Sequence, residues 1–194
     1  MFDFIAEQVR EKLPVTIYQK IAKVGPKLIG QDKLFKYGFN WLPMYRRSTG
    51  RIVSVSKDLT EVTMRLPLSY RNRNYVGSIF GGSMFSAVDP IPMVQLINLL
   101  DSQYVVWDKS AEIYFKAPAR EDLYADFVFT EQELEQIKRD VEQQQEINLI
   151  KTTQLTNKAR DKVFCEVKKT LYISTKAHYK KKRAKRQQAK AEQS

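Results

Sequence analysis

The chain has 194 residues, of which 43% are hydrophobic and 11% aromatic, so it is long and apolar enough for one globular domain and too short for two comfortable ones. Its single cysteine, Cys165, excludes an internal disulfide and favours a reducing compartment, so we expect a cytoplasmic protein. Its single histidine, His178, lies in a basic tail that carries much of the formal net charge of +11. This excludes most Ser-His-Asp and Cys-His catalytic schemes and any His-based metal site.

The N-terminal region is predicted to be helical. Apolar side chains recur at helical spacing from Phe2 to Leu28, with Pro14 between two helices and Gly25-Pro26 interrupting the second. We expect these helices to lie on the domain. Adsorption to a membrane surface is the less favoured alternative, because the polar faces carry both signs of charge. No signal peptide is expected, and residues 40–50 are predicted to form a linker.

The rest of the chain alternates between strand and helix patterns. Period-two alternation predicts strands at 51–56, 61–66, 104–117, 123–130, 147–156 and 162–174, and helical spacing predicts helices at 83–100 and 131–145. One long apolar helix among antiparallel strands predicts an α+β domain over residues 50–176. Residues 1–49 form an N-terminal helical extension and linker in this interpretation, and residues 177–194 a disordered basic tail.

The most informative segment is the start of the long helix. Gly81-Gly82 follows a loop and opens an apolar run in which Asp89 is the sole carboxylate. The first N–H groups of a helix have no partner within the helix, and they suit an oxygen that gains negative charge during a reaction. A lone carboxylate in apolar surroundings is costly unless it is paired or functional. Together these features indicate an oxyanion site with a base or nucleophile.

The spacing of Asn74, Gly77, Phe80-Gly81-Gly82 and Asp89 resembles the active-site segment of the hotdog-fold acyl-CoA thioesterases of the phenylacetyl-CoA type. That family typically has Asn-x-x-Gly-x-x-His-Gly-Gly, then six residues of any type, then Asp. The one departure is Phe80, which stands where the family has His. The segment is more similar still to an uncharacterised branch of thioesterase-like proteins in which Phe is usual. The resemblance covers roughly residues 50–175 and implies a hotdog fold, a curved antiparallel sheet wrapped around a long central helix.

The resemblance also implies roles for the residues of this segment. The backbone N–H groups of Gly81 and Gly82 would stabilise the oxyanion, and Asp89 would attack or activate a water. Asp89 could instead only cap the helical piece that begins at Pro90. Asn74 would fix the loop, a water or the substrate carbonyl, or would merely form a turn. Phe80 cannot donate a hydrogen bond, so the substrate would be held by backbone amides and apolar contact, or the activity would be weak or lost.

Four further residues are candidates for binding the substrate. Ser83 and Asp108 are accessory polar groups. Arg71 and Arg73 could meet the phosphates of coenzyme A at the mouth of the site, although solvated loop charges are the alternative for each.

The spacing of the site residues also constrains the assembly. Gly81 and Asp89 are eight positions apart, which is about 12 Å along a continuous helix, so they cannot both contact one thioester carbon. If both act in one reaction, they come from different chains, and we expect a homodimer or homotetramer. Pro90 and Pro92 predict a kink at Asp89.

The sequence therefore predicts a hydrolase for acyl-CoA thioesters that needs no metal or bound cofactor. The alternatives are a hotdog protein that binds acyl-CoA without turnover, and an adaptor that binds polyanions through the tail. The tail, residues 177–194, holds seven Lys or Arg against one Glu. Nucleic acid is a disfavoured partner, because Tyr179 is the only residue of the tail on which a base could stack.

Overall fold

A six-stranded antiparallel sheet organises residues 30–191, the part of the chain that the computed structural model describes. The helices predicted before residue 30 lie outside the described residues. The described elements are α1 (Gln31–Trp41), α2 (Pro43–Arg47), β1 (Arg51–Val55), β2 (Glu61–Leu66), α3 (Gly81–Val88), α4 (Pro90–Leu99), β3 (Tyr104–Phe115), β4 (Leu123–Val128), α5 (Glu131–Gln144), β5 (Glu146–Thr156), β6 (Val163–Thr175) and α6 (Lys176–Ala191). The strand order is β1-β2-β4-β5-β6-β3, so β3 lies at one edge.

The sheet packs around α3 and α4, and this confirms the predicted hotdog layout. Ala87, Val88, Ile91 and Leu96 are at most 1% exposed, because the apolar run leaves no polar face for water. The inward residues of the strands cover them, since alternate side chains of a strand point to one face. Burying each large aliphatic side chain contributes about 1.5–3 kcal/mol.

The central helix is interrupted at Asp89, immediately before the first of the two prolines. Pro90 has no N–H to continue the hydrogen-bond ladder, and α3 ends at Val88 while α4 begins at Pro90. Asp89 keeps helical dihedrals, and its N–H still donates to the carbonyl of Phe85 at 2.9 Å. The break therefore interrupts the helix without redirecting it into a loop.

The sheet is nearly divided between β4 and β5. These strands share only the pair Tyr124 and Thr156 and then diverge. Lys151 on β5 bridges the gap, donating to the carbonyl of Val128 and pairing with Glu133 at 2.9 Å. A side chain thus replaces the missing ladder hydrogen bonds at this point.

The predicted linker at residues 40–50 is wrong, because most of it is helical and packed against the core. Tyr45 in α2 is 1% exposed, and its hydroxyl donates to the carbonyl of Ala87 at 3.1 Å. Phe39 meets the Tyr45 ring edge-on, with ring centroids 5.2 Å apart. The buried aromatic side chains are separated by polar residues, so the sequence shows no clear apolar pattern in this region.

The tail also differs from the prediction of disorder, because residues 176–191 form the helix α6. Tyr179 packs against Trp107 and Tyr172 on the outer face of the sheet, with ring centroids 6.5 and 6.3 Å away. Lys182 forms an ion pair with Glu146 at 2.5 Å. The first two turns of α6 contact the sheet. These contacts stabilise a helix whose dense positive charge opposes its formation. The domain boundaries proposed from sequence stay predictions.

Within the described part of the chain, no helix is both long and apolar enough to cross a bilayer.

We predict that acid releases the start of α6 from the sheet. Hydrogen bonds from Lys182 and Tyr172 lower the pKa of Glu146 from 4.5 to about 2. Because the folded pKa is depressed, the stabilisation is complete above pH 4.5 and is lost as the pH falls toward 2. Trp107 fluorescence should report a transition in this window. In Glu146→Gln the titrating group is gone, so an unchanged transition in that variant would contradict the assignment.

Candidate functional site

The N-terminus of α3 presents two backbone donors. Phe80 precedes the helix in an extended conformation, and its carbonyl accepts the first helical hydrogen bonds, from the N–H groups of Ser83 and Met84. Gly81 and Gly82 occupy the first two helical positions, whose N–H groups have no partner within a helix. In the described part of the chain no side chain caps this end. Two N–H groups at the positive end of the helix dipole are therefore available to an anionic oxygen.

A cleft of about 380 Å³ adjoins this helix start. It is lined by Asn74, Ser78, Ile79, Gly81, Met84, Phe115, Lys116, Ala117 and Pro118. The Phe115 ring lies so close to Gly81 that a Cβ there would be 2.7 Å from the ring. Glycine at position 81 thus lets an aromatic wall approach the backbone donors closely. Phe80 is 58% exposed beside them.

The loop before the helix is held by two asparagines. The carboxamide oxygen of Asn74 accepts from the N–H groups of Val76 and Ser78 at 3.1 and 3.0 Å, and its nitrogen donates to the Ser78 hydroxyl at 2.9 Å. Both ends of the amide are used within the loop, which favours the turn-forming interpretation of Asn74.

Asn72 is the second of these asparagines, and sequence reasoning missed it. It is 2% exposed, its side chain donates to Thr49 and to the carbonyl of Pro67 at 2.8 Å, and its carbonyl accepts from Phe80 at 2.7 Å. A buried asparagine that ties three segments together fixes where the helix begins. Nothing in the sequence distinguishes it from its exposed neighbours.

The structure pairs Asp89 with a lysine that the sequence analysis did not identify. The Lys169 ammonium lies 2.5 Å from Oδ1 and 2.5 Å from the backbone carbonyl of Asp89, and 2.8 Å from Oδ2 of Asp108. Two predicted site residues, Asp89 and Asp108, are thus brought together. The available signal was the strand period, since Lys169 takes an inward position between Val167 and Leu171 on β6.

Asp89 does not cap the helix that follows it. Its side chain makes no hydrogen bond to the N-terminal N–H groups of α4. Its carboxylate remains 39% exposed, in spite of its apolar sequence neighbours, and it lies beside Lys169. The capping role considered from sequence therefore receives no support from the geometry.

The other predicted residues surround the helix start without joining into one cluster. Ser83 is half-buried on the first turn of α3, and Arg71 and Arg73 are exposed on the loop, where Arg71 donates to the Tyr70 hydroxyl at 3.0 Å. Burial raises the pKa of the Cys165 thiol to about 11, so this cysteine is protonated at neutral pH and packs as a small apolar residue. Among the described residues no group of three His, Cys, Asp or Glu side chains is arranged to hold a metal ion.

One chain does not complete the predicted site. The cleft includes Gly81 and Asn74 but not Asp89, which lies at the far end of α3. Beside the helices, β3 pairs only with β6, and within the described residues its other edge has no strand neighbour. Trp107 and Phe115 on this strand are 52% and 58% exposed. An open edge with exposed aromatic residues is a surface suited to association.

Comparison with known proteins agrees with this fold. A family model described as a domain of unknown function, DUF4442, matches residues 31–173. No curated protein matches the sequence. A protein of unknown function from Pseudomonas aeruginosa, PA5026, described as a probable thioesterase, is similar in structure with a TM-score of 0.65 and 19% identity, over 74% of this chain and 95% of that one.

Two further solved structures have the same fold. The thioesterase HI1161 from Haemophilus influenzae gives a TM-score of 0.51 at 12% identity, over 71% of this chain and 87% of its own. A mutant of the thioesterase PA1618 from Pseudomonas aeruginosa gives 0.54 at 12% identity, over 73% and 92%. At these identities the similarity establishes a hotdog fold of the type found in thioesterases.

We predict that Asn74→Ala loosens the loop that precedes the helix. Removing the amide leaves the N–H groups of Val76 and Ser78 without their acceptor, which should lower the free energy of unfolding by about 1–2 kcal/mol. Urea denaturation measures this change. The matched control is Asn98→Ala, which removes an exposed side chain bonded only to the carbonyl of Val94 and should change stability by less. Equal effects would contradict a special role for Asn74.

Proposed function

The chain belongs to the DUF4442 family, a family of unknown function, and we propose that it hydrolyses an acyl-CoA thioester. The observation that carries the proposal is the pair of uncapped N–H groups at Gly81 and Gly82, at a helix start where Gly81 lines a cleft. Such a pair matches the need of acyl transfer, in which the thioester oxygen becomes negatively charged in the transition state. The similarity to structures described as thioesterases supports the same class of reaction.

The proposed chemistry uses backbone amides and one carboxylate. The thioester oxygen accepts hydrogen bonds from Gly81 and Gly82. Asp89 either attacks the carbonyl carbon itself or activates a water that attacks it. In one route Asp89 attacks, forms an anhydride and releases the coenzyme A thiolate, and water then hydrolyses the anhydride. In the other route Asp89 takes a proton from a water that attacks directly. Both routes need Asp89 ionised and within reach of the carbonyl.

The carboxylate in this proposal comes from a second copy of the chain. Gly81 and Asp89 are separated by the length of α3, about 12 Å. Pairing of the free β3 edges of two copies would add strand hydrogen bonds, shield Trp107 and Phe115, and set the central helices side by side. Each Gly81 would then face the Asp89 of the partner. The proposed homodimer carries two equivalent sites, and a homotetramer would contain two such pairs.

Substrate contacts follow from the residues around the cleft. Phe80 and Phe115 offer apolar surface to the acyl group, and the Ser83 hydroxyl lies on the same first turn of α3 as the donors. Arg71 and Arg73 on the exposed loop provide positive charge for the coenzyme A phosphates. Asn74 supports the loop that carries these residues.

A second candidate function is binding of acyl-CoA without turnover. Phe80 favours it, because this ring takes the place of a histidine that would orient the thioester in the resembling family. The two candidates make the same predictions for binding and differ only in release of free thiol. Binding of polyanions through the exposed basic residues of α6 is a third activity, compatible with either.

The first experiment replaces the proposed base. Asp89→Asn keeps the shape and the acceptor for Lys169 but removes the negative charge, so it should fold and bind acyl-CoA normally. It should lose on the order of a hundredfold or more in turnover, as expected when a general base is removed. Release of free thiol from a panel of acyl-CoAs measures turnover, and thermal melting checks the fold. Near-normal turnover in folded Asp89→Asn would rule out the mechanism.

The second experiment tests the two-chain site by complementation. Gly81→Pro removes one oxyanion donor at a first helical position, where proline fits a helix, although the Phe115 ring must shift. Gly81→Pro and Asp89→Asn should each be inactive as pure proteins. After unfolding and refolding together in equal amounts, about half of the dimers are hybrids with one intact site, so about a quarter of wild-type activity should return.

Light scattering at low micromolar concentration should show at least a dimer. An active monomer, or no recovery in mixtures shown to contain hybrids, would contradict a site built from two chains.

A further inference from the structure

Lys169 is the most deeply buried charged residue next to the proposed site. Its side chain is 3% exposed, whereas those of Asp89 and Asp108 are 39% and 31% exposed. A buried ammonium is costly unless it is paired and hydrogen-bonded. An apolar residue would be the ordinary choice at this inward position on β6. Packing alone therefore does not explain why a lysine occupies this inward position.

The Lys169 ammonium is held by two aspartates. It donates to the backbone carbonyl and to Oδ1 of Asp89, and it forms an ion pair with Oδ2 of Asp108 at 2.8 Å. Its side chain is 3% exposed, so a substrate has no direct access to it. Lys169 can therefore affect a reaction only through the carboxylates that it holds.

The two bonds to Asp89 fix that residue in complementary ways. One bond holds the backbone at the break between α3 and α4, and the other holds the side chain. In the described part of the chain, Oδ2 of Asp89 has no recorded hydrogen bond, and the carboxylate is partly exposed. One carboxylate oxygen is thus anchored while the other is left for a water or a carbonyl carbon.

Asp108 anchors the lysine from the edge strand. A bulge in β3 between Asp108 and Ser110 shifts the register, so that the small Ala111 lies opposite Lys169 and Asp108 lies opposite Leu171, on the inward face. Asp108 thus reaches the ammonium from the neighbouring strand. β3 is also the strand whose free edge would pair in the proposed dimer. The group of Lys169, Asp89 and Asp108 therefore lies next to that interface.

We propose that Lys169 is the positioning residue for Asp89, and that Asp108 holds Lys169 in place. The inference rests on the proposed function, because it concerns the aim of the carboxylate in thioester hydrolysis. In this arrangement Lys169 sets the direction of Oδ2 of Asp89. Asp108 is a structural partner of the lysine and not a contact for the substrate.

The test is a set of variants assayed for thiol release in the full-length protein. Lys169→Met keeps the length of the side chain and removes the charge, so kcat should fall about tenfold or more while KM changes little, because the carboxylate is misdirected and the binding cleft is intact. Asp108→Asn should give a smaller fall in kcat. The matched control is Lys168→Met, the same substitution on the next residue, whose exposed side chain points to the opposite face.

A double variant separates positioning from stability. If Lys169 acts only through Asp89, adding Lys169→Met to Asp89→Asn should cause no further loss of turnover, whereas general damage to the fold would add to the loss. Melting curves and light scattering accompany each variant. If Lys169→Met does not fold, the same comparison is made with Asp108→Asn alone and in the Asp89→Asn background.

The outcomes distinguish this inference from the function on which it rests. Wild-type protein without turnover would overturn both. Turnover that is lost in Asp89→Asn but unchanged in folded Lys169→Met would overturn only the role of Lys169. A rise in KM with kcat unchanged, or losses that add in the double variant, would also overturn it. A fall in kcat that disappears in the Asp89→Asn background supports it.

Discussion

The burial of one apolar helix against one face of the sheet is the constraint on which the rest of the structure depends. Because α3 and α4 are largely apolar, the strands wrap around them, and the two ends of α3 present the groups of the candidate site. One end presents the N–H groups of Gly81 and Gly82, and the other presents Asp89. The geometry of the candidate site is thus a consequence of how the core is packed, and its two halves are separated by the length of a helix.

Each end of α3 is stabilised by a group from elsewhere in the chain. At the start, the buried amide of Asn72 joins the loop to Thr49 and to Pro67, so the donors are held by the segment between α2 and β1. At the end, Lys169 reaches from β6 to the backbone and side chain of Asp89. In both cases a buried polar group is paired, which favours one arrangement over alternatives because an unpaired group would be costly there.

Several elements could be predicted because their pattern is local. Strand alternation gave 61–66 as it stands in the structure, and helical spacing gave α5 to within one residue, with its start at a threonine cap that accepts from the N–H of Glu133. The break at Asp89 followed from Pro90, whose missing N–H is a property of the residue itself. Residues 40–50 and the tail were misjudged for the opposite reason. Tyr45 and Tyr179 are buried or half-buried by partners distant in sequence, and neither position shows a local period that would reveal this.

The sequence by itself determined the apolar central helix, its glycine-opened start, its single carboxylate and its break, because each depends on residue type and short spacing. Only the tertiary structure decided the partners of these groups. The ammonium of Lys169 pairs with Asp89, which is 80 residues away in the sequence. Asp108 reaches the same ammonium because a bulge shifts the register of β3, and the sequence pattern does not predict this bulge. For Asn74 the sequence left a substrate role and a turn-forming role open, and its hydrogen bonds within the loop favour the turn. Charge pairing and satisfaction of buried groups depend on distances between segments, and a sequence pattern records spacing along one segment only.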